Sequence, residues 1–318
     1  MKILFLGKGG SGKTTATSAF ITHVARTRPV LAIDADQNAH LHEALGMPGT
    51  PIALGDRYSE IATYVSGDRK DLGKKPVIGT TPPSLASRFI IPKPDDPFIR
   101  KYAARKGDIS LLTVGNYSEK DIGHNCYHGK LESVAMVLIH LLDRPEDIVV
   151  ADATAGTDVF GTPFLYIYDL HVLVVEPTAK SLNVFKDYYR LTRAEGTRLA
   201  VLANKIESED DLEYIKSVVP PEMLLGAIPY SPLLRAFEQG DDAAFQTFVS
   251  ENGAIFDEII TRAAAVPRDW SRFLEQLNTV HAKICRQWYN DYYGFPIDTG
   301  YDSEFRYETV MQQYHAST

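Results

Sequence analysis

A run of nine residues near the start, Gly7-Lys8-Gly9-Gly10-Ser11-Gly12-Lys13-Thr14-Thr15, constrains this chain more than any other feature. It follows a short apolar stretch, Ile3-Leu4-Phe5-Leu6, that reads as a buried strand. It opens into Thr15 to Arg26, which contains neither Gly nor Pro and reads as a helix. A glycine-rich turn between strand and helix aims several backbone N–H groups inward, and the positive end of the helix adds to them, so such a turn holds phosphate. Lys13 is spaced to reach the β- and γ-phosphates of a nucleotide, and the Thr14 hydroxyl to sit on Mg²⁺. Gly9, Gly10, Ser11, Gly12 and Thr15 complete the phosphate-binding set.

The second lysine narrows the class. Lys8-Gly9-Gly10-Ser11-Gly12-Lys13-Thr14 resembles the deviant Walker A sequence of the ParA, MinD, ArsA and nitrogenase iron-protein group of P-loop ATPases. The resemblance implies ATP as ligand, Mg²⁺ as cofactor, and a homodimer with two ATP molecules in its interface, Lys8 crossing to the nucleotide of the partner subunit. The alternative for Lys8 is a phosphate contact within its own chain.

Further matches follow in chain order. Pro29 to Ile33 reads as a second strand, ending in Asp34-Ala35-Asp36-Gln37-Asn38, and carboxylates at such a strand end lie in the ligand crevice of an open α/β sheet. By resemblance, Asp36 orients the attacking water and Asp34 organises the Mg²⁺ shell through water. Gln37 stands where relatives often have Pro, and a helix is expected from Asn38 to Leu45. The strand Asp147 to Ala151 ends in Asp152-Ala153-Thr154-Ala155-Gly156, resembling the family's Walker B segment and second switch. That likeness puts Asp152 on Mg²⁺ through water and the Gly156 N–H near the γ-phosphate. Asn204, ending the strand Arg198 to Ala203, is implied to contact adenine, and Pro229 belongs to the loop beside the base. Each of these Asp and Asn residues has a plainer reading as a cap or turn former.

Residues 47 to 107 form a proline-rich insert, with helical pieces expected at Tyr58 to Val65 and Phe98 to Lys106. From residue 69 onward Arg69, Lys70, Lys74, Lys75, Arg88, Lys93, Arg100, Lys101, Arg105 and Lys106 face only Asp71, Asp95 and Asp96. The insert is therefore a candidate docking surface for an acidic partner or, more weakly, for DNA, unless its charges are merely solvated.

After a strand at Asp108 to Val114 comes Gly123-His124-Asn125-Cys126-Tyr127-His128, then a helix from Lys130 to Leu142. His124, Cys126 and His128 alternate, so in an extended segment they project to one side. Two subunits facing across a two-fold axis would offer Cys126 and His128 twice, a set of four N/S ligands suited to Zn²⁺ and tolerated by Ni²⁺. The order of parts here resembles the CooC-type ATPases, which help insert nickel into carbon monoxide dehydrogenase. That family carries Cys-x-Cys where this chain has Cys126-Tyr127-His128. The plainer reading is a polar interface loop with an ordinary thiol.

Composition sets the outer limits. A chain of 318 residues with 44% hydrophobic content can bury one large α/β core plus an appendage, or two modest domains. No apolar run approaches the roughly 18 residues that span a bilayer, and the two cysteines, Cys126 and Cys285, are far apart, so a cytoplasmic protein without a disulfide framework is expected. The net charge of −8 argues against a nucleic-acid coat.

The expected architecture is a mostly parallel sheet with helices on both faces: an ATPase domain over residues 1–264 and a helical, aromatic-rich extension over 265–318. Phe245 to Ala264 reads as one helix. Trp270, Phe273, Leu277, Val280, Ile284 and Trp288 predict another, and the aromatic tail beyond it suits either a partner surface or packing on the chain's own core. Three functions fit: an accessory ATPase serving a client metalloenzyme, a partition or positioning ATPase, or a metal-free accessory to a biosynthetic enzyme.

Overall fold

The computed structural model describes residues 1–116, 127–153 and 164–316. These form an eight-stranded sheet: β1 (Lys2–Gly7), β2 (Val30–Ala35), β3 (Ala104–Lys106), β4 (Ile109–Thr113), β5 (Ile148–Ala153), β6 (Leu170–Val175), β7 (Leu199–Ile206) and β8 (Leu224–Pro229). Their order is β3-β4-β2-β5-β1-β6-β7-β8, and every pair is parallel except β3 with β4. Strands β1, β2, β4, β5 and β6 are buried throughout, which is why they read as unbroken apolar runs rather than alternating ones.

Helices cover both faces. Lys13–Ala25, Asp242–Glu251 and Gly253–Ala264 pack on one side through Phe20, Phe248, Phe256 and Ile259. Tyr58–Ser66, Tyr127–Ile139, Ala179–Thr192 and Trp270–Ile284 pack on the other through Ile61, Val134, Phe185 and Phe273. Winding from β1 first toward β2 and later toward β6 puts the loop after β1 where the topology reverses, the position at which open α/β sheets bind ligands.

Four local expectations are corrected. The helix after β2 covers only Leu41–Ala44 instead of starting at Asn38. Phe98 to Lys106 is not one helix: Pro97–Tyr102 is helical, capped by Asp96 through Phe98 N and Ile99 N, and the chain then enters the antiparallel edge strand β3. The single helix expected over Phe245 to Ala264 is broken at Asn252-Gly253 into Asp242–Glu251 and Gly253–Ala264. The stripe on the last long helix holds at Phe273 and Leu277 and shifts phase in its second half. Phe273, Leu277, His281 and Cys285 are its buried positions, while Trp288 is 71% exposed. A π-helical turn at Cys285–Tyr289 adds a residue to the turn and rotates the following aromatics toward solvent.

The tail divides accordingly. Phe305, Tyr307, Val310 and Met311 join the main core, with Tyr307 stacked 4.9 Å from Trp270 and donating from its hydroxyl to Ile139 O at 2.7 Å. Tyr292, Tyr293 and Phe295 stay on the surface. Arg268 bolts the extension to β1. Its guanidinium grips Asp169 through Nε at 2.8 Å and Nη2 at 2.6 Å and reaches Asp143 at 2.7 Å, while Lys2 Nζ meets the same Asp143 at 2.5 Å.

Part of the insert's basic character is met by partners within the chain. Arg69 pairs with Asp71, Lys93 with Asp147 and Lys101 with Glu60. Lys106 caps Leu45 O, and Arg88 lies 5.0 Å over the Tyr64 ring.

Among the described residues no helix is long and apolar enough to cross a membrane.

Candidate functional site

The register of the sheet assembles the site. Asp34 on β2 and Asp152 on β5 are paired positions on neighbouring strands, and β5 lies directly beside β1, whose end carries the glycine-rich turn. Two aspartates predicted from separate stretches of sequence thus arrive side by side beneath Lys13. Gly7 is required where the turn begins, because a Cβ there would lie 2.5 Å from Ser11 Oγ and 2.7 Å from Val174 O. Gly12 sits in the left-handed region at φ 87°, and a Cβ would lie 2.3 Å from Asn204 Nδ2.

Lys13 is the centre of the cluster. Its Nζ donates to Asp152 Oδ1 at 2.8 Å and to Asp36 Oδ2 at 3.0 Å, with the residue only 6% exposed. Thr14 Oγ1 donates to Asp152 Oδ2 at 2.7 Å and Thr17 Oγ1 to Asp152 Oδ1 at 3.0 Å. Burial by itself would lower the Lys13 pKa, but Asp152 and Asp36 overcome it and raise it, so the ammonium is charged.

Asp34 is fully buried and spends its carboxylate on the backbone, accepting from Asp36 N at 3.2 Å and Leu41 N at 2.9 Å. Burial, and then the charge of Asp152, push its carboxyl up to about 7. Its place is behind the reacting surface, shaping the loop that carries Asp36. Asp36 also accepts from Asn38 N at 2.9 Å and Asn38 Nδ2 at 3.2 Å.

Above this cluster opens a cavity of about 1070 Å³. Gly9, Gly10, Gly12, Lys13, Thr14 and Thr15 form its floor, Asp36 and Asn38 one wall, and Asn204 and Pro229 the other. Ser11 lies buried beneath the turn. Asn204 Nδ2 donates to Ser11 O at 2.8 Å, so this side chain also props the phosphate turn from below. The cavity extends past Pro229 to Tyr230, Leu234 and Phe237, apolar surface of the kind a nucleobase needs.

Lys8 stands at the mouth, 3.0 Å from Glu176 Oε1. Three contributors were not assigned from the sequence. Thr17 holds Asp152, Glu176 holds Lys8, and Lys205 reaches Gly10 O at 2.5 Å from a left-handed backbone at φ 59°. A lysine following a strand-end asparagine was the available signal for the last of these; nothing local marks the other two.

The donors around Lys13 are all oxygens of Thr and Asp, a set that suits Mg²⁺ and not a soft metal. Mg²⁺ typically takes one or two carboxylates and completes its shell with phosphate and water. Among the described residues no group of three or more His, Cys, Asp or Glu side chains could hold a metal by itself. Cys126 and Gly156 lie outside the described residues, as does the side chain of His128. Cys285 is buried beside His281 at 3.5 Å, and burial pushes its thiol up to about 12, which makes it inert.

Comparison with known proteins agrees with this geometry. Residues 3–243 match the model of the CobQ/CobB/MinD/ParA nucleotide binding domain. An uncharacterized ATP-binding protein of Methanocaldococcus jannaschii is 31% identical over 236 residues, covering 72% of this chain and 85% of that protein. The carbon monoxide dehydrogenase accessory protein CooC of Rhodospirillum rubrum is 29% identical over 241 residues, covering 75% and 87% respectively. A ParA family ATPase from Chlorobium tepidum shares the fold at a TM-score of 0.54 and 14% identity, covering 82% of this chain and 96% of that one. A putative plasmid partition protein from Borrelia burgdorferi does so at 0.53 and 12% identity, covering 82% and 98%.

Proposed function

The chain belongs to the CobQ/CobB/MinD/ParA nucleotide-binding family as a P-loop ATPase of the ParA/MinD type, and from that premise we propose that it hydrolyses ATP with Mg²⁺ as a nucleotide-switched homodimer. One observation carries the reading: Lys13, Asp36, Asp152 and Thr14 form a single hydrogen-bonded cluster on the floor of the cavity, with Lys8 at its mouth.

Bound Mg²⁺ would draw negative charge off the terminal phosphate oxygens, held by the Thr14 hydroxyl and, through water, by Asp152. In the free chain Lys13 neutralises Asp36 and Asp152. Turning its ammonium toward the phosphates uncovers both carboxylates, and Asp36 is then free to orient a water for attack. Lys8 completes the charge on the phosphates across the dimer. The site of a single chain is thereby one cation short, so turnover is slow until two copies meet. Specific ATPase activity measured against protein concentration should rise through the dimerisation range. A flat rate at every concentration would overturn the dimeric mechanism.

The likeness to CooC supports a further step, that this ATPase is an accessory factor for a client metalloenzyme. The exposed Trp288 and Tyr292 suit a protein partner, since aromatic residues are enriched where proteins meet. Metal analysis of the purified dimer should find Zn²⁺ or Ni²⁺ that a Cys126→Ala variant lacks. Absence of metal from both samples would remove the metal-handling role.

A further inference from the structure

One carboxylate at the mouth of the cavity holds two lysines. Glu176 directly follows β6; its Oε1 accepts from Lys8 Nζ at 3.0 Å and its Oε2 from Lys205 Nζ at 3.2 Å. Thr178 Oγ1 adds a bond to Oε1 at 3.4 Å, and the Glu176 backbone N–H donates to Ser181 Oγ at 3.1 Å, so the carboxylate is presented from a braced loop. Its side chain is 13% exposed, against 32% for Lys8 and 42% for Lys205. Burial by itself would raise the Glu176 pKa, but the hydrogen bonds from Lys8 and Lys205 reverse this and hold it below the usual carboxylate range, so the group is an anion at neutral pH.

Both lysines are also tied to the glycine-rich turn, Lys8 to Gly9 O at 3.3 Å and Lys205 to Gly10 O at 2.5 Å. Lys205 reaches that position only by adopting a left-handed φ of 59°, a conformation that costs a non-glycine residue free energy and persists where surrounding contacts enforce it. Two ammonium groups that line the ligand cavity are thus already paired with an anion supplied by the chain itself.

We propose that Glu176 is a positioning residue for the ATP site: it holds Lys8 against its own turn as an internal counter-ion, and the triphosphate must displace it to recruit that lysine. The proposal rests on the reading of the cavity as an ATP site. Two effects of removing the carboxylate have the same sign. Lys8 no longer has a competing partner, and a negative charge leaves the mouth through which an anionic ligand enters. Lys205 keeps its bond to Gly10 O, so the turn stays braced.

The test is equilibrium binding of a β,γ-imido ATP analogue with Mg²⁺, measured by titration calorimetry for the wild type, Glu176→Gln, Glu176→Asp, Lys8→Ala and the Lys8→Ala/Glu176→Gln double variant. Glu176→Gln should bind about five-fold tighter at low salt, the scale of one partly exposed ion pair. That gain should shrink at high salt, be absent in Glu176→Asp, and fall by more than half when Lys8 is already missing. Equal or weaker binding by Glu176→Gln, with thermal melting unchanged, overturns the proposal. So does a gain that survives undiminished without Lys8. Failure of the wild type to bind the analogue would instead sink the ATP reading itself, which separates the two.

Discussion

Replacing Lys13 by methionine should lower ATP hydrolysis by roughly 10³-fold, the scale on which a preorganised charge at a developing anion contributes. The same substitution should also destabilise the nucleotide-free protein, because Lys13 is the cation between Asp36 and Asp152 in a site where Asp152 is fully buried. Stripping one partner from a buried ionic cluster costs about 3–5 kcal/mol, chiefly through the charges left behind. Melting curves of wild type and Lys13→Met at neutral pH should show that gap directly. Equal melting temperatures would mean that the cluster is not held together by charge.

Arg268→Met should be the most damaging single change far from the ATP site. The Arg268 side chain is 11% exposed, forks onto Asp169, touches Asp143, and lies 4.6 Å over the Trp270 ring. Burial would raise the Asp143 pKa, yet Arg268 and Lys2 outweigh it and hold that carboxyl well below the ordinary range. Methionine would fill part of the space and leave Asp169 without its bidentate partner. A loss of about 3–5 kcal/mol, or on the order of 10 °C in Tm for a chain of this size, is expected. Lys216→Ala, which breaks the exposed pair with Glu213, should by contrast shift Tm by about a degree or less. The Arg268 network surrounds Lys2 at the start of β1, roughly 16 Å of strand from Gly7. ATP hydrolysis by Arg268→Met, assayed well below its melting point, should therefore match wild type. A simultaneous loss of turnover would indicate that the extension is coupled to the site. Phe273, Leu277, Phe305 and Tyr307 share one cluster with Leu4 and Leu6 of β1, so we expect the extension to melt together with the sheet.

What the sequence disclosed follows from where each piece of information resides. Strands buried on both faces announce themselves as apolar runs, and the phosphate turn announces itself by its spacing, so the sheet and the floor of the cavity were legible. Asp34, Asp36 and Asp152 were legible because each ends such a run. Strand β3 was not, since Ala104-Arg105-Lys106 has no apolar alternation and owes its conformation to pairing with β4. The break at Asn252-Gly253 was hidden because helical periodicity continues on either side of it. Only the second half of the last helix was not legible in phase, because four-residue steps through His281 and Cys285 place a polar and a small side chain on the buried face, where apolar periodicity favours Val280 and Ile284. Glu176 and Lys205 escaped for a different reason: their contacts join positions 168 and 195 residues apart, and even the signal at Lys205, its place after Asn204, says nothing of the partner it meets.

The three-residue strand β3 has one more effect. A twisted sheet offers an open margin on each flank, and an unprotected margin invites a neighbouring molecule to dock its own backbone and polymerise. Here that flank ends in a stub whose Arg105 and Lys106 are exposed. Any molecule trying to lengthen the sheet there would have to desolvate both cations for at most three rungs of pairing. A second molecule therefore gains little by pairing at that flank, and the sheet is closed to growth on that side.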